Sequence, residues 1–312
     1  MFWSKATVAF EDAGARSKYF FFLFFFGMSV CVVDVAHAEE PVVTGSEQTG
    51  AEVTVVSDAQ AAPPMTSAVP AAAQTSAPEK GALEMVLGDG HMSNDYGNAN
   101  SFAIRGVTMI SAGVLQGELV RQSRFGFNGE YGGLSFTRDF SPDWYATVGA
   151  GAGSSELFPS WRIDATGYRK LGSEKQYVVG FGGYFAKGKD SGRSDSGVLL
   201  TSIVYFSPLV LEAGVRVNRA NPGAVTGPSQ YIAATIGSDE TRAYILRADH
   251  AKEAYQVFTS GSERVNYDSQ TYGAQWRERI SRDVLLLAGL QYYRNPLYSK
   301  TSLEAGLRWS FR

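Results

Sequence analysis

From Gly81 to the end of the chain, apolar side chains recur at every second position, and no other feature narrows the possible folds so far. Between Leu209 and Asn218, Leu209, Leu211, Ala213, Val215 and Val217 share one parity, while Glu212, Gly214, Arg216 and Asn218 share the other. Near the C-terminus, Leu303, Ala305, Leu307, Trp309 and Phe311 oppose Glu304, Gly306, Arg308 and Ser310 in the same way. Tyr272, Ala274 and Trp276 likewise oppose Gly273, Gln275, Arg277 and Arg279. A helix would need its apolar groups three and four residues apart. A period of two gives strands with one oily and one polar face.

A soluble sandwich would bury that oily face, whereas an outer-membrane barrel would turn it toward lipid, and two features favour the barrel. The first is an export signal. Lys5, Arg16 and Lys18 precede an apolar run from Tyr19 to Val33, and Ala36-His37-Ala38 supplies the small residues of a cleavage site. The run is about 15 residues, too short to span a bilayer as a helix, so residues 1–38 read as a cleaved signal peptide. The single Cys of the chain, Cys31, leaves with it, and Val30 before it makes a poor lipoprotein signal. Residues 39–80 carry five Pro, six acids against one base and no aromatic residue. Such a segment buries too little apolar surface to offset its ordering entropy, and it reads as a disordered periplasmic linker.

The second feature is the wiring of residues 81–312. Tight links at Ser111-Ala112, Ser141-Pro142-Asp143, Gly172-Ser173-Glu174, Ser207-Pro208, Ser238-Asp239-Glu240 and Ser281-Arg282-Asp283 alternate with longer polar ones. The longer links are Asp95 to Asn100, Ser154 to Pro159, Lys187 to Asp195, Ala220 to Ser229 and Ala251 to Asp268. Short turns on one rim and longer loops on the other are the wiring of an outer-membrane barrel. The fold expected is therefore all-β, a transmembrane antiparallel β-barrel of about 14 strands, or 12 if the glycine-broken stretch from Gly81 to Asn128 loses a hairpin. An even number places both ends in the periplasm. Trp144, Phe140, Phe206, Trp276, Trp309 and Phe311 fall near strand ends, where aromatic girdles belong. Phe311, one residue from the end, resembles the terminal aromatic signal read by the barrel-assembly machinery.

Four stretches, FPSWRIDATGYRK from Phe158, SDSGVLLTSIVYF from Ser194, VRVNRANPGAVTGPSQ from Val215 and QYYRNPLYSKTSLEAGLRWSF from Gln291, resemble the YaiO family of outer-membrane β-barrels. The resemblance is clear from about residue 130 onward and weak before it, and its most specific parts are Asn221-Pro222-Gly223 and Tyr293-Arg294-Asn295-Pro296. It implies location and fold, and a loose association with surface-polysaccharide loci. It carries no catalytic residues.

With the oily parity toward lipid, the inward parity carries Glu84, Arg105, Glu118, Arg162, Asp164, Glu212, Arg216, Arg247, Asp249, Arg277, Arg279, Glu304 and Arg308, seven Arg against six acids. These charges would line a conduit for a polar or saccharide-like solute, or would pair with one another and close a structural barrel. Barrels of 12 to 14 strands lie between those filled by side chains and those holding a water channel. A loop such as Ala251 to Asp268, the longest, would be the candidate plug.

A lipid hydrolase is the third reading, because His91 and Ser93 share the outward parity of the first strand with Asp89. Asp249 and His250 are adjacent, so they point to opposite faces and read as a solvated strand tip. The Gly149, Gly151, Gly153 and Gly180, Gly182, Gly183 clusters lack the Lys-Ser or Lys-Thr of a phosphate loop and are expected to relieve crowding where the wall bends. A net charge of −3 excludes a nucleic-acid footprint, and nothing points to a cofactor or metal. The partners expected are outer-membrane lipids, lipopolysaccharide, the assembly machinery and a polysaccharide or small polar solute.

Overall fold

Lipid offers no partner to a backbone N–H or C=O, so a sheet that crosses a membrane must close on itself. The computed structural model describes residues 80–189, 192–256 and 264–312. The expected signal peptide and linker lie outside the described residues, apart from Lys80.

The strands are β1 (Gly81–Met92), β2 (Gly97–Ile110), β3 (Gly113–Arg124), β4 (Phe127–Asp139), β5 (Trp144–Gly153), β6 (Trp161–Leu171) and β7 (Tyr177–Lys187), then β8 (Ser194–Phe206), β9 (Leu209–Asn221), β10 (Val225–Gly237), β11 (Arg242–Gln256), β12 (Arg264–Arg279), β13 (Val284–Arg294) and β14 (Ser299–Phe311). Each pairs antiparallel with its neighbours in sequence, and β1 pairs with β14 from Gly81↔Phe311 to Met92↔Lys300, closing a 14-stranded barrel. The Lys80 amide donates to the Phe311 carbonyl, so pairing extends past the end of the seam. Both ends of the sheet lie on one rim, here the proximal rim, which is the periplasmic rim in barrels of this class.

The outer face is the oily parity. Leu87, Leu119, Phe181 and Leu303 are each more than 60% exposed. That would be an aggregation hazard in water and is the required surface in lipid. At the proximal rim Phe140, Trp144, Phe206, Trp309 and Phe311 are exposed and Trp276 is half-buried. The Arg169 guanidinium sits 5.3 Å from the Trp144 ring, a cation over an aromatic face where the girdle meets the headgroups.

The distal links differ from the sequence expectation. β9 runs on to Asn221 and β10 begins at Val225, so the link expected from Ala220 to Ser229 shrinks to three residues. β11 and β12 continue through most of the segment from Ala251 to Asp268, the stretch considered as a plug. Polar composition marked these stretches as loops, but a strand that rises above the bilayer is polar on both faces and keeps its ladder. The β3–β4 link is only residues 125–126, and there Phe125 takes φ 53° and Gly126 φ 77°. Positive φ at both positions suits the tight two-residue hairpin.

The glycine clusters also do something other than bend the wall. On the inner face Gly180 lies opposite Tyr168, Gly197 opposite Tyr184, and Gly214 opposite Tyr231. A Cβ on Gly180 would stand 2.6 Å from the Tyr168 ring, and one on Gly214 would enter the Tyr231 ring. Gly151 similarly leaves room for the Tyr131 hydroxyl, Gly149 for the Asp164 carboxylate and Gly182 for Thr166. Each glycine is a socket that lets a large inward side chain lie along the wall instead of projecting across the barrel.

Gly214→Ala should therefore destabilise the barrel by about 1–3 kcal/mol, the range for overpacking a close contact. Gly167→Ala, where a Cβ meets nothing within 4 Å, should be neutral. Guanidinium unfolding in detergent micelles measures both, and equal midpoints for the two variants would remove the socket.

Candidate functional site

Inside the barrel the polar parity assembles into linked groups. On β1 to β3, Glu84, Arg105 and Glu118 stand opposite one another in register. Arg105 Nη1 donates to Glu84 Oε1 at 3.0 Å, and its Nε is 3.8 Å from Glu118. On β6, Arg162 and Asp164 are two residues apart on the same face and 3.6 Å from each other, with Arg162 only 2% exposed. The Arg162 guanidinium lies 4.0 Å over the Tyr184 ring, and Arg216 approaches the same ring at 5.8 Å. The Tyr184 hydroxyl lies between Asp195, 2.5 Å away, and Asn218, 3.0 Å away.

A second arginine and tyrosine pair follows on β9 to β11. Arg247 grips Asp249 in a bidentate pair at 2.7 and 2.9 Å and stacks 4.2 Å from the Tyr231 ring. Tyr231 donates its hydroxyl proton to Glu212 at 2.6 Å. Charge-assisted pairs of this kind hold planar groups in fixed orientations. Glu304, half-buried, faces Gly88 and Gly289 and has no ion-pair partner among the described residues.

Both ends of the lumen are narrowed. Toward the proximal rim the Tyr145 and Tyr168 rings stack at 4.5 Å with 9° between planes, packed with Val178, Ile203 and Val210. Each member of that cluster is 4% exposed or less. Further round the wall, on β11 and β13, Ile245, Leu285 and Leu287 are equally buried. The β10–β11 turn turns Asp239 inward, where its carboxylate meets Arg277 at 3.1 Å and Arg308 at 3.5 Å. Arg279 donates to the Asp239 carbonyl at the rim.

At the distal mouth the β5–β6 link tucks Leu157, fully buried, and Phe158 against Tyr131. Tyr96, Phe125 and Tyr298, from three further links, pack together with ring centroids 5.0 to 5.8 Å apart. Beside them Glu253 accepts hydrogen bonds from Tyr267 and Tyr293, both at 2.9 Å.

Sequence reasoning missed Tyr184, Tyr231, Asp195, Asp239 and Glu253. Asp195 and Glu253 stood in stretches taken for loops, and Asp239 in a tight turn. The tyrosines carried a usable signal, since each shares parity with inward polar residues and faces a glycine on the next strand.

The hydrolase arrangement does not come together. His91 Nδ1 is 3.1 Å from Asn98 Oδ1, while the Ser93 hydroxyl oxygen accepts the Ser299 amide at 2.9 Å. Asp249 belongs to the inner pair with Arg247, whereas His250 faces outward, 3.8 Å from Asp268. Among the described residues no group of three or more His, Cys, Asp and Glu is placed to hold a metal.

A closed antiparallel barrel with an oily exterior and an ionic interior has a counterpart among family models. The model of the YaiO membrane β-barrel domain matches residues 80–256. The chain belongs to that family. The match runs from β1 to β11, and so includes the first fifty residues of the barrel, where the resemblance read from sequence was weakest. The Tyr293-Arg294-Asn295-Pro296 stretch lies beyond it, at the end of β13 and in the link to β14. Membership places the protein in the outer membrane. No curated protein sequence matches the chain. Among solved structures, a bacterial polysaccharide outer membrane secretin is similar at a TM-score of 0.51 and 12% identity, over 76% of this chain and 100% of that one. The CymD monoaromatic hydrocarbon channel is similar at a TM-score of 0.51 and 8% identity, over 75% of this chain and 89% of that one. At such identities the likeness is one of fold.

Asp239→Ala should cost about 3 kcal/mol, the lower end for a buried pair broken from one side, because Arg277 keeps Gln275 at 2.7 Å. Thermal unfolding in micelles measures it. Ser93→Ala should leave the lipid profile of overexpressing cells unchanged, and loss of a lipid-hydrolysing activity in that variant would restore the enzyme reading.

Proposed function

We propose that this barrel is a narrow outer-membrane conduit for a small polar solute of saccharide-like chemistry. The observation that carries the reading is the ionic inner wall. A barrel interior that only has to be filled is filled at least as stably by apolar side chains, because replacing buried ion pairs with hydrophobic groups is neutral or stabilising. Arg105 and Arg216, both half-buried, therefore make sense as surfaces for a hydrated guest, while Arg162 and Arg247 are buried within the wall network. Tyr184 and Tyr231 lie against the wall with guanidinium groups 4.0 and 4.2 Å from their rings. A wall of alternating guanidinium, carboxylate and phenol groups suits the hydroxyls of a polar solute.

A second reading has its own observation. Leu157, Val178 and Leu285 are fully buried on the inner side, which favours a closed barrel acting through its distal links on a partner.

Single-channel recording of the mature chain in a planar bilayer separates the two. The conduit gives small, steady openings whose ion selectivity changes in Arg277→Ala and whose conductance rises in Ile203→Ala, which opens the apolar neck. A folded barrel that conducts in neither wild-type nor Ile203→Ala form would leave the closed reading standing.

A further inference from the structure

The outer wall is not evenly convex. Between β7 and β12 it carries a groove of about 620 Å³, within the size range of small-ligand sites. Its floor follows from one cross-strand row on the lipid-facing parity, Val179, Ser202, Ala213, Ile232, Ala248 and Tyr272, directly opposite one another in register. Three of the six are Ser or Ala, so the row is low at Ser202 and Ala213, between Val179 and Ile232, and again at Ala248, between Ile232 and Tyr272.

The neighbouring outward row, one step toward the distal rim, changes character along its length. Leu200 and Val215 continue the apolar floor, and then Gln230, His250 and Gln270 stand side by side. Arg294 follows opposite Gln270 on the next strand. Lys252 lies one step further toward the rim on β11, and Arg219 lies a further step out on β9. Lys252, Arg294 and Arg219 have no ion-pair partner among the described residues; Asp268, opposite Lys252 in register, has its carboxylate 3.8 Å from His250. The groove is thus apolar toward the bilayer centre, capable of hydrogen bonding at its distal end, and bordered there by cations.

We infer that this groove holds one acyl chain of a phosphorylated glycolipid of the outer leaflet. Gln230, His250 and Gln270 receive the sugar, and Lys252 and Arg294 receive phosphate. The occupant must be lipid-borne because the floor lies on the face that contacts the bilayer, where a void lined by Ala213, Ala248 and Val215 stays dry and forfeits dispersion contacts unless a chain fills it. Charge selects the anion. Three neighbouring uncharged or weakly basic hydrogen-bonding side chains fit a sugar headgroup better than a glycerol. The distal rim, opposite the chain ends, faces the leaflet where such glycolipids reside. The inference does not depend on whether the lumen conducts.

Native mass spectrometry of the refolded mature barrel titrated with lipid A, and in parallel with phosphatidylglycerol, tests it. Wild type should retain one lipid A per barrel against equimolar phosphatidylglycerol. Ala213→Phe, which fills the floor from the lipid side, should lose that adduct, and Lys252→Ala with Arg294→Ala should lose the preference for lipid A. The inference fails if both lipids are retained equally by wild type, if the Phe and Ala variants bind as wild type does, or if Ala213→Phe dissociates a dimer, which would make the groove a contact between two copies.

Discussion

Nothing in hydrocarbon can replace a neighbouring strand as the partner of a backbone N–H or C=O, and each of the fourteen strands is accordingly paired on both sides. The seam between β1 and β14 is where the constraint acts most sharply: twelve register pairs from Gly81↔Phe311 to Met92↔Lys300 leave no edge. Once the register is fixed, the alternation of side chains follows, and with it the division between a lipid face and an inner face. A slip of one residue at the seam would turn Leu83, Met85 and Leu87 inward and Glu84 into lipid, so hydrophobicity and hydrogen bonding enforce the same closure.

The inner face solves a different problem. A 14-stranded wall encloses more space than small side chains fill and less than an open pore needs. The chain lines that space with tyrosines seated on glycines, Tyr168 on Gly180, Tyr184 on Gly197 and Tyr231 on Gly214, and narrows it at the mouths with short links and the β10–β11 turn. The ring faces then carry arginines, and the arginines carry carboxylates. Such a network is rigid because each member has a partner, and a change at one glycine is felt by a tyrosine, a guanidinium and an acid in turn.

The strand pattern and the outward apolar parity were legible in the residues themselves, since a period of two leaves a trace at every position of Leu209 to Asn218 and of Leu303 to Phe311. The loops were less legible. The stretch from Ala251 to Asp268 and the stretch around Asn221-Pro222-Gly223 are polar, and polarity does not distinguish a loop from a ladder that has left the bilayer. That is why Asp195 and Glu253, each hydrogen-bonded to an inward tyrosine, were hidden, and why the described residues of the candidate plug belong to two strands while Leu157 and Phe158, in a link expected to be external, turned inward.

By itself the sequence determined that this chain forms an outer-membrane barrel of about fourteen strands, because parity and turn chemistry are local properties that survive without knowledge of distant neighbours. Only the tertiary structure decided what the barrel contains. Whether Arg162 meets Tyr184, whether Asp239 reaches Arg277 and Arg308, and whether Ser202, Ala213 and Ala248 line up into a groove depend on register between strands far apart in sequence and on the radius of the closed wall. Those quantities are set by the closure of the whole ring.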